Sequence, residues 1–423
     1  MPKYKPISTL AMILAGGRVD ELNVLTHYRP KSAVPFGGVY RIIDFALSNL
    51  MHSGLELVAI LSQFRSFSLI NHIGIGAAWD MMGRYRGVFI LPPSPSSDYV
   101  STSWYKGPVD AVFRNIDFIE YHQPEEVLIL SGDHVYQMDY RPLINYHRQK
   151  GADLTMSCVW VPLEEAHRFG VADVDDEDGE FGGRVVNYQE KPDSAECNWA
   201  SLTLYCFNPK VLIEMLQENA AADISHEFGR SIIPSMMAKG YRVYGHKFTG
   251  YWGYTRTIRE YWQTNMDLLV PDSPIDLEAW GIRTNLEHRD IRDCQPLKTG
   301  PSASISNSLI YNGCLVEGEV ENSILFPGAH IKPNARVKDS ILFFDNVIGE
   351  RARIDKVISD VNNTIGRNAV IGSPFPKNGS EITTIGWNNY IPAGSRIGSD
   401  CTIYPKLGQE KFSQEIKRGE TIR

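Results

Sequence analysis

Residues 385–402 read IGWNNY, IPAGSR and IGSDCT, so that Ile385, Ile391, Ile397 and Ile403 stand six positions apart. The residues between them are small or polar. A helix repeats at 3.6 residues and a strand at 2, so neither makes a period of six. A three-sided parallel solenoid does: each face contributes one inward aliphatic, and neighbouring coils satisfy one another's backbone groups. Earlier fragments keep the register, with Ile331 and Val337, Ile348 and Ile354, Ile365 and Ile371. A longer repeat runs beside it. Asn307-Ser308-Leu309, Asn322-Ser323-Ile324 and Asp339-Ser340-Ile341 recur. The hexads fail at residues 373–380 (SPFPKNGS), which reads as a loop expelled from a coil.

Upstream the pattern is different. Residues 10–14 form a short apolar run that breaks at Ala15-Gly16-Gly17, and residues 126–130 form another that ends in Ser131-Gly132-Asp133. Residues 57–61 and 153–159 read as further strands, and 40–53 and 109–121 read as helices. Strands alternating with helices imply βαβ units and a mostly parallel sheet with helices on both faces. Ligands of such sheets sit at the carboxyl ends of strands, where both glycine-containing breaks fall. The Pro92, Pro93 and Pro95 stretch reads as a loop, residues 173–183 as a solvated hairpin, and 271–274 as a boundary. The expected organisation is an α/β Rossmann-like domain over 1–280, a linker over 281–304, and a β-helix over 305–423.

Composition bounds the function. The net charge of −8 argues against sequence-independent nucleic-acid binding, which uses clustered Lys and Arg. The six cysteines make no C-x-x-C pair, so zinc is not expected and the thiols read as buried in a reducing compartment. The N-terminal apolar run is too short for a signal sequence or a membrane span, and a cytoplasmic protein is expected.

Several motifs together resemble the glucose-1-phosphate adenylyltransferase family. They are Ala15-Gly16-Gly17-Arg18, Ser32 through Gly38 (SAVPFGG), Tyr40 through Asn49 (YRIIDFALSN) and Ser131 through Tyr136 (SGDHVY). Glu190-Lys191-Pro192, Ser225 through Gly229 (SHEFG), Tyr261-Trp262 and Asn265 through Leu268 (NMDL) continue the match in order. The resemblance implies a nucleotidyltransferase domain followed by a left-handed hexapeptide β-helix. It implies that ATP and glucose 1-phosphate become ADP-glucose and pyrophosphate, with Mg²⁺ as cofactor, for glycogen or another α-glucan. It implies a homo- or heterotetramer with anionic allosteric effectors. Lys31 and Asp133 match catalytic positions, and Asp133 matches a Mg²⁺ ligand. Ala15, Gly16, Gly17, Arg18, Gly107 and Asp110 match the nucleotide site. Tyr105, Gly170, Glu190, Lys191 and Ser201 match the glucose 1-phosphate site. Arg29 and Arg41 are candidate effector contacts. For the residues alone, plainer readings stand beside these: a tight turn at Gly16-Gly17, a helix N-cap at Asp133, and an exposed surface pair at Glu190-Lys191.

The departures from the family pattern fall on the site. The family loop reads Gly-Gly-Arg-Gly-Thr-Arg-Leu; here Val19, Asp20 and Glu21 replace its glycine–threonine–arginine run. Arginine to glutamate changes the charge by −2 and threonine to aspartate by −1, so this loop has moved by −3. Like charges about 4 Å apart repel by about 4 kcal/mol at an effective dielectric near 20. A loss of about that size slows chemistry by roughly a thousandfold. In the family motif Tyr-Trp-x-Asp-Val-Gly-Thr, Tyr254 takes the place of the metal-binding aspartate, and a phenol is a poor Mg²⁺ ligand. Pro108 replaces a threonine and Thr203 a glycine. The scaffold motifs are intact, so loss or reduction of catalysis with retention of fold is expected. Arg18, Arg29 or Arg256 are the cations available to compensate. The alternative reading is a catalytically impaired regulatory subunit that assembles with an active paralogue. A third, acyl transfer with His330 as base, has only the hexapeptide repeat behind it.

Overall fold

The computed structural model describes residues 8–17, 19–83, 86–94, 104–372 and 381–423; Arg18, Pro95 and the 373–380 stretch lie outside the described residues. Packing divides the chain into two units. The first holds Met1–Gly17, Phe45–Ser66 and Gly74–Trp252; the second holds Arg18–Asp44, Phe67–Ile73 and Gly253–Arg423. The boundary read near residue 280 follows the change of repeat, whereas packing adds segments 18–44 and 67–73 to the C-terminal unit.

In the first unit nine strands form one sheet. Their order is Gly87–Leu91, Leu57–Leu61, Thr9–Leu14, Glu126–Ser131, Trp199–Phe207, Leu154–Trp160, Val243–Phe248, Gly182–Glu190 and Gly170–Val174. The first four run parallel. Trp199–Phe207 then enters antiparallel between Glu126–Ser131 and Leu154–Trp160. Leu10, Met12, Val127, Ile129, Leu154 and Met156 are fully buried in the core of this unit, which is why these strands read as near-continuous apolar runs. Residues 173–183 hold the hairpin read from sequence: the ends of the antiparallel strands Gly170–Val174 and Gly182–Glu190 and the turn 175–181 between them.

One helix reading needs correction here. The expected helix over 109–121 is two, Pro108–Phe113 and Ile116–His122, broken at Asn115. The Asn115 amide donates to the Tyr105 hydroxyl and to the Ala111 carbonyl, a combination that holds its backbone out of the helix. Near 40–53 the helix begins only at Ile43. Tyr40–Arg41 instead pairs with Pro35–Phe36, and the Asp44 carboxylate accepts the Arg41 N–H.

In the second unit, three all-parallel sheets of six, seven and seven strands stack into the β-helix. Ile385, Ile391, Ile397 and Ile403 fall in turn on the third, first, second and third sheet, all but fully buried. Six residues therefore carry the chain across one face. The ladder begins at Lys298–Thr299, inside the stretch read as linker. The longer repeat marks a corner: Asn307, Asn322 and Asp339 all have positive φ, of 42°, 45° and 46°. Asn and Asp tolerate that region best after glycine. Their side chains also link the coils. Asn307 Nδ2 donates to Asn322 Oδ1 at 2.8 Å, and Asn322 Nδ2 to Asp339 Oδ1 at 2.6 Å.

The N-terminal segment of this unit is fastened to the β-helix at several heights. Tyr311 Oη donates to the Gly37 carbonyl at 2.7 Å, Arg29 meets Asp360 at 2.9 Å, and Asn23 Nδ2 donates to Thr402 Oγ1 at 2.8 Å. The helix Ile258–Met266 packs there too, with Trp262 Nε1 donating to the Asp339 carbonyl at 2.8 Å. Gly38 has φ of 103°, and a Cβ on it would lie 1.7 Å from the Tyr311 ring. Gly38 of the SAVPFGG motif thus lets backbone lie flat on an aromatic face, while Gly37, with φ of 56°, packs against Leu268.

Among the described residues no cysteine is in a disulfide; four are buried and Cys197 and Cys294 partly so. His330 is held by Glu317 Oε2 at 3.0 Å. No helix among the described residues is long and apolar enough to cross a membrane.

Two predictions follow from this packing. Gly38→Ala adds a methyl group where there is no room and at a φ that disfavours it; overpacking alone costs about 1–3 kcal/mol, so the melting temperature should fall clearly. Asp355 stands opposite Lys338 on the next coil, and burial and then the like charge of nearby Asp339 push its carboxyl up to about 6. A carboxyl raised in the folded state destabilises as pH climbs from its unfolded value through about 6. Asp355→Asn should therefore raise the melting temperature above pH 6 and lose that advantage near pH 4.

Candidate active site

The strand Thr9–Leu14 delivers Ala15, Gly16 and Gly17 at its carboxyl end. The Ala15 N–H donates to the Leu61 carbonyl at 3.0 Å. The two glycines have different work. A Cβ on Gly16 would stand 3.2 Å from the Gln63 backbone nitrogen, so this glycine permits close packing on the neighbouring strand end. A Cβ on Gly17 would meet nothing within 4 Å, so the space beside it is open.

Gln63 was not singled out from sequence, yet it organises this edge. Its side-chain oxygen accepts the Tyr105 N–H at 2.7 Å. Tyr105 is buried, and its hydroxyl donates to the Leu91 carbonyl at 3.2 Å and accepts from Asn115 at 3.0 Å. Burial raises its phenol pKa. Gly107 approaches His226 so closely that a Cβ would sit 2.8 Å from its carbonyl oxygen. Asp110 accepts the Lys106 N–H at 2.8 Å and pairs with Arg114 Nε at 3.0 Å. Pro108 begins the helix here, a position whose N–H has no helical acceptor, so its missing donor costs the helix nothing.

Asp133 is followed by the short strand Val135–Tyr136, not by a helix, so it is no N-cap. Its Oδ1 accepts from Ser131 Oγ and lies 3.3 Å from His134 Nε2. The carboxylate keeps about a quarter of its surface exposed. His134 stands edge-on to Trp252, with ring centres 5.4 Å apart.

Glu190 is no loose surface residue. Tyr188 Oη donates to its Oε2 at 2.7 Å, and burial raises the Tyr188 pKa so that the phenol stays protonated as donor. A Cβ on Gly170 would lie 2.4 Å from that carboxylate oxygen, and one on Gly229 2.0 Å. Two glycines and a phenol thus cradle one carboxylate, and both Tyr188 and Gly229 went unassigned as site residues in the sequence. Lys191 next to it is exposed, with φ of 48°. Ser201 Oγ accepts the Thr203 N–H at 3.2 Å, within a bulge of its strand. Thr203 has φ of 54°, a conformation that suits glycine and strains a β-branched residue.

The second unit holds the remaining positions. Val19 is extended, with φ of −116°, so its branched side chain meets no backbone conflict. Glu21 lies in the 3₁₀ turns Asp20–Thr26. Its Oε1 takes Arg256 Nε at 2.9 Å and the terminal guanidinium nitrogen Nη2 at 2.9 Å. Both side chains are a little under half exposed. Lys31 is buried, and its Nζ lies 5.5 Å from the centre of the Tyr254 ring. The segment 254–256 therefore meets both Glu21 and Lys31. Arg29 and Arg41, read as effector contacts, are buried and internally engaged. Arg29 pairs with Asp360; Arg41 reaches the Ala33 carbonyl, Ser68 Oγ at 3.0 Å and His288 Nε2 at 2.7 Å.

Among known proteins, residues 10–270 match the family described as nucleotidyl transferase, and residues 296–386 match the GlmU-like C-terminal hexapeptide family. A glucose-1-phosphate adenylyltransferase of Thermotoga neapolitana is 45% identical over 98% of both chains. One of Pseudothermotoga lettingae is 42% identical over 98% of both, and one of Clostridium novyi 43% identical over 77% of this chain and 83% of its own. The chain belongs to the glucose-1-phosphate adenylyltransferase family.

Within that family Thr203 is the departure whose cost is visible in backbone geometry. Thr203→Gly should raise the melting temperature, by up to about 1 kcal/mol of stability after glycine's extra unfolded entropy is set against the relieved strain. A fall on thermal scanning would show that the threonine's contacts outweigh its strained backbone.

Proposed function

We propose that this chain joins ATP and glucose 1-phosphate into ADP-glucose and pyrophosphate, more slowly than relatives that keep the family's arginine and aspartate at positions 21 and 254. The observation that carries the reading is the Glu190 cradle: a carboxylate fixed by Tyr188 and admitted by Gly170 and Gly229 is suited to sugar hydroxyls. The relatives all bear the transferase name, which supports this reading over that of a purely regulatory subunit.

In the proposed reaction a phosphate oxygen of glucose 1-phosphate attacks the α-phosphorus of ATP in line, and pyrophosphate leaves. The protein contributes chiefly position and charge. Gly16 and Gly17 give the nucleotide backbone access, and Lys31 supplies a cation on the phosphate side. No group of three or more His, Cys, Asp or Glu among the described residues is arranged to hold a metal. Asp133 still fits Mg²⁺, as a partly exposed carboxylate already oriented by Ser131 and His134, because Mg²⁺ commonly takes one or two carboxylates and completes its shell with phosphates and water. When bound there it would neutralise phosphate charge. A cytoplasmic tetramer with anionic effectors remains part of the proposal, although Arg29 and Arg41 as placed support the internal packing of their unit.

The pairing of Glu21 with Arg256 changes the charge account. Relative to the family motifs the loop loses three units of charge. Tyr254 for aspartate restores one and Arg256 for glycine another, which leaves a deficit of one. A site one unit more acidic is slowed, not silenced. Purified protein with Mg²⁺ should form ADP-glucose. The triple change Glu21→Arg, Tyr254→Asp, Arg256→Gly should raise kcat/KM at least about tenfold, a difference near 1.4 kcal/mol. Glu21→Arg with Tyr254→Asp alone should gain less, because the new arginine would face Arg256. Absence of product from both wild type and triple variant would overturn the reading.

A further inference from the structure

Three arginines are candidates for the cation that position 21 no longer supplies, and the structure separates two of them. Arg29 is buried and its charge is matched by Asp360 at 2.9 Å, so it is spent on holding the fold together. Arg256 lies at the surface of its unit, 43% exposed, and its partner Glu21 is 44% exposed.

We propose that Arg256 is this chain's polyphosphate-binding cation, and that Glu21 is its resting partner, displaced when the phosphates arrive. The proposal rests on the nucleotide-binding reading above and names a residue that carries it. Ion pairs between exposed side chains hold weakly, because water competes for both partners. An arginine fork on a polyphosphate makes parallel charge-assisted hydrogen bonds to a group carrying more negative charge than one carboxylate. Exchange of partners is therefore favourable, and Glu21, already open to water, is hydrated as it leaves. Tyr254 links Arg256 to a second cation. Its side chain interacts with Arg256, and its ring lies 5.5 Å from the buried Lys31 ammonium, so one short segment carries both contacts. The acid at position 21 then acts as a stand-in anion: it keeps Arg256 in place while no nucleotide is bound and weakens nucleotide binding by competing for the same guanidinium.

The alternative is that Arg256 only neutralises Glu21. The two differ in a double-mutant cycle read by calorimetric titration of ATP, with Mg²⁺, into the full-length protein. If Arg256 binds phosphate, Arg256→Gln weakens ATP binding about tenfold or more, the usual worth of a charge-assisted contact. Glu21→Gln tightens it several-fold, and the double variant is as weak as Arg256→Gln. Arg256→Lys, which keeps the charge but not the fork, falls between and guards against a misfolded glutamine variant. The proposal is overturned if Arg256→Gln binds like wild type, if the double variant recovers wild-type affinity, or if Glu21→Gln weakens binding as much as Arg256→Gln. Assay of ADP-glucose formation by the same proteins keeps the two claims apart. The predicted binding pattern without product sinks the transferase reading and leaves Arg256 assigned; product without the pattern does the reverse.

Discussion

The second unit depends on the parallel ladder of its β-helix. Each short strand has its N–H and C=O groups satisfied by the coils above and below, and each coil contributes one aliphatic side chain per face to a continuous interior. Everything else in the unit is built on that column. The segment 18–44 contains little regular structure of its own, only 3₁₀ turns and a two-residue strand pair. It is ordered by what it touches: the Tyr311 ring under Gly38, Asp360 against Arg29, Thr402 against Asn23. The same segment carries Glu21 and Lys31, so the placement of these two charges is set by the solenoid against which the segment packs.

Two groups of residues, one in each unit, tolerate change unequally, for a physical reason. In the first unit Glu190 sits so tightly against Gly170 and Gly229 that neither glycine can gain a side chain without moving the carboxylate. Such a cradle is kept whole or lost. In the second unit Glu21 and Arg256 are charges on flexible, partly exposed stems, and Coulomb interactions fall off gently with distance. A cation moved from one segment to its neighbour still acts on the same anion. Glu21 and Arg256 illustrate that tolerance, and Tyr254, which keeps Lys31 beside an aromatic face, extends it.

Much of this was legible in the sequence. The six-residue period of isoleucines allowed one architecture, and the Asn–Asn–Asp repeat foretold a corner where positive φ is required. The loop's acidic turn was visible as well. What escaped were the long-range partners. Glu21 could be read as a misplaced acid and Arg256 named among three compensating cations, but nothing local singled out Arg256, 235 residues away, from Arg18 and Arg29. Gly37 and Gly38 could be recognised as a motif, while the ring that requires Gly38 belongs to Tyr311. The helix over 109–121 kept its apolar periodicity through Asn115, and only the tertiary bond from Asn115 to Tyr105 breaks it. Gln63 and Tyr188 carried no signal, since a glutamine after a strand and a tyrosine within one are common; their roles exist only once Tyr105 and Glu190 are brought to them.

The three fastenings of the 18–44 segment have a consequence for the solenoid's length. Repeat arrays ordinarily tolerate gain or loss of a unit, because each repeat answers only to its neighbours. Here Tyr311, Asp360 and Thr402 lie on early, middle and late coils and are read simultaneously by Gly37, Arg29 and Asn23. Removing one coil between them would slide the marks past one another by about 4.8 Å, the spacing of adjacent strands, more than a hydrogen bond can span. The column is thus a ruler whose graduations are fixed by the strap laid along it, and its coil number is set by a stretch of chain more than two hundred and fifty residues upstream of its first rung.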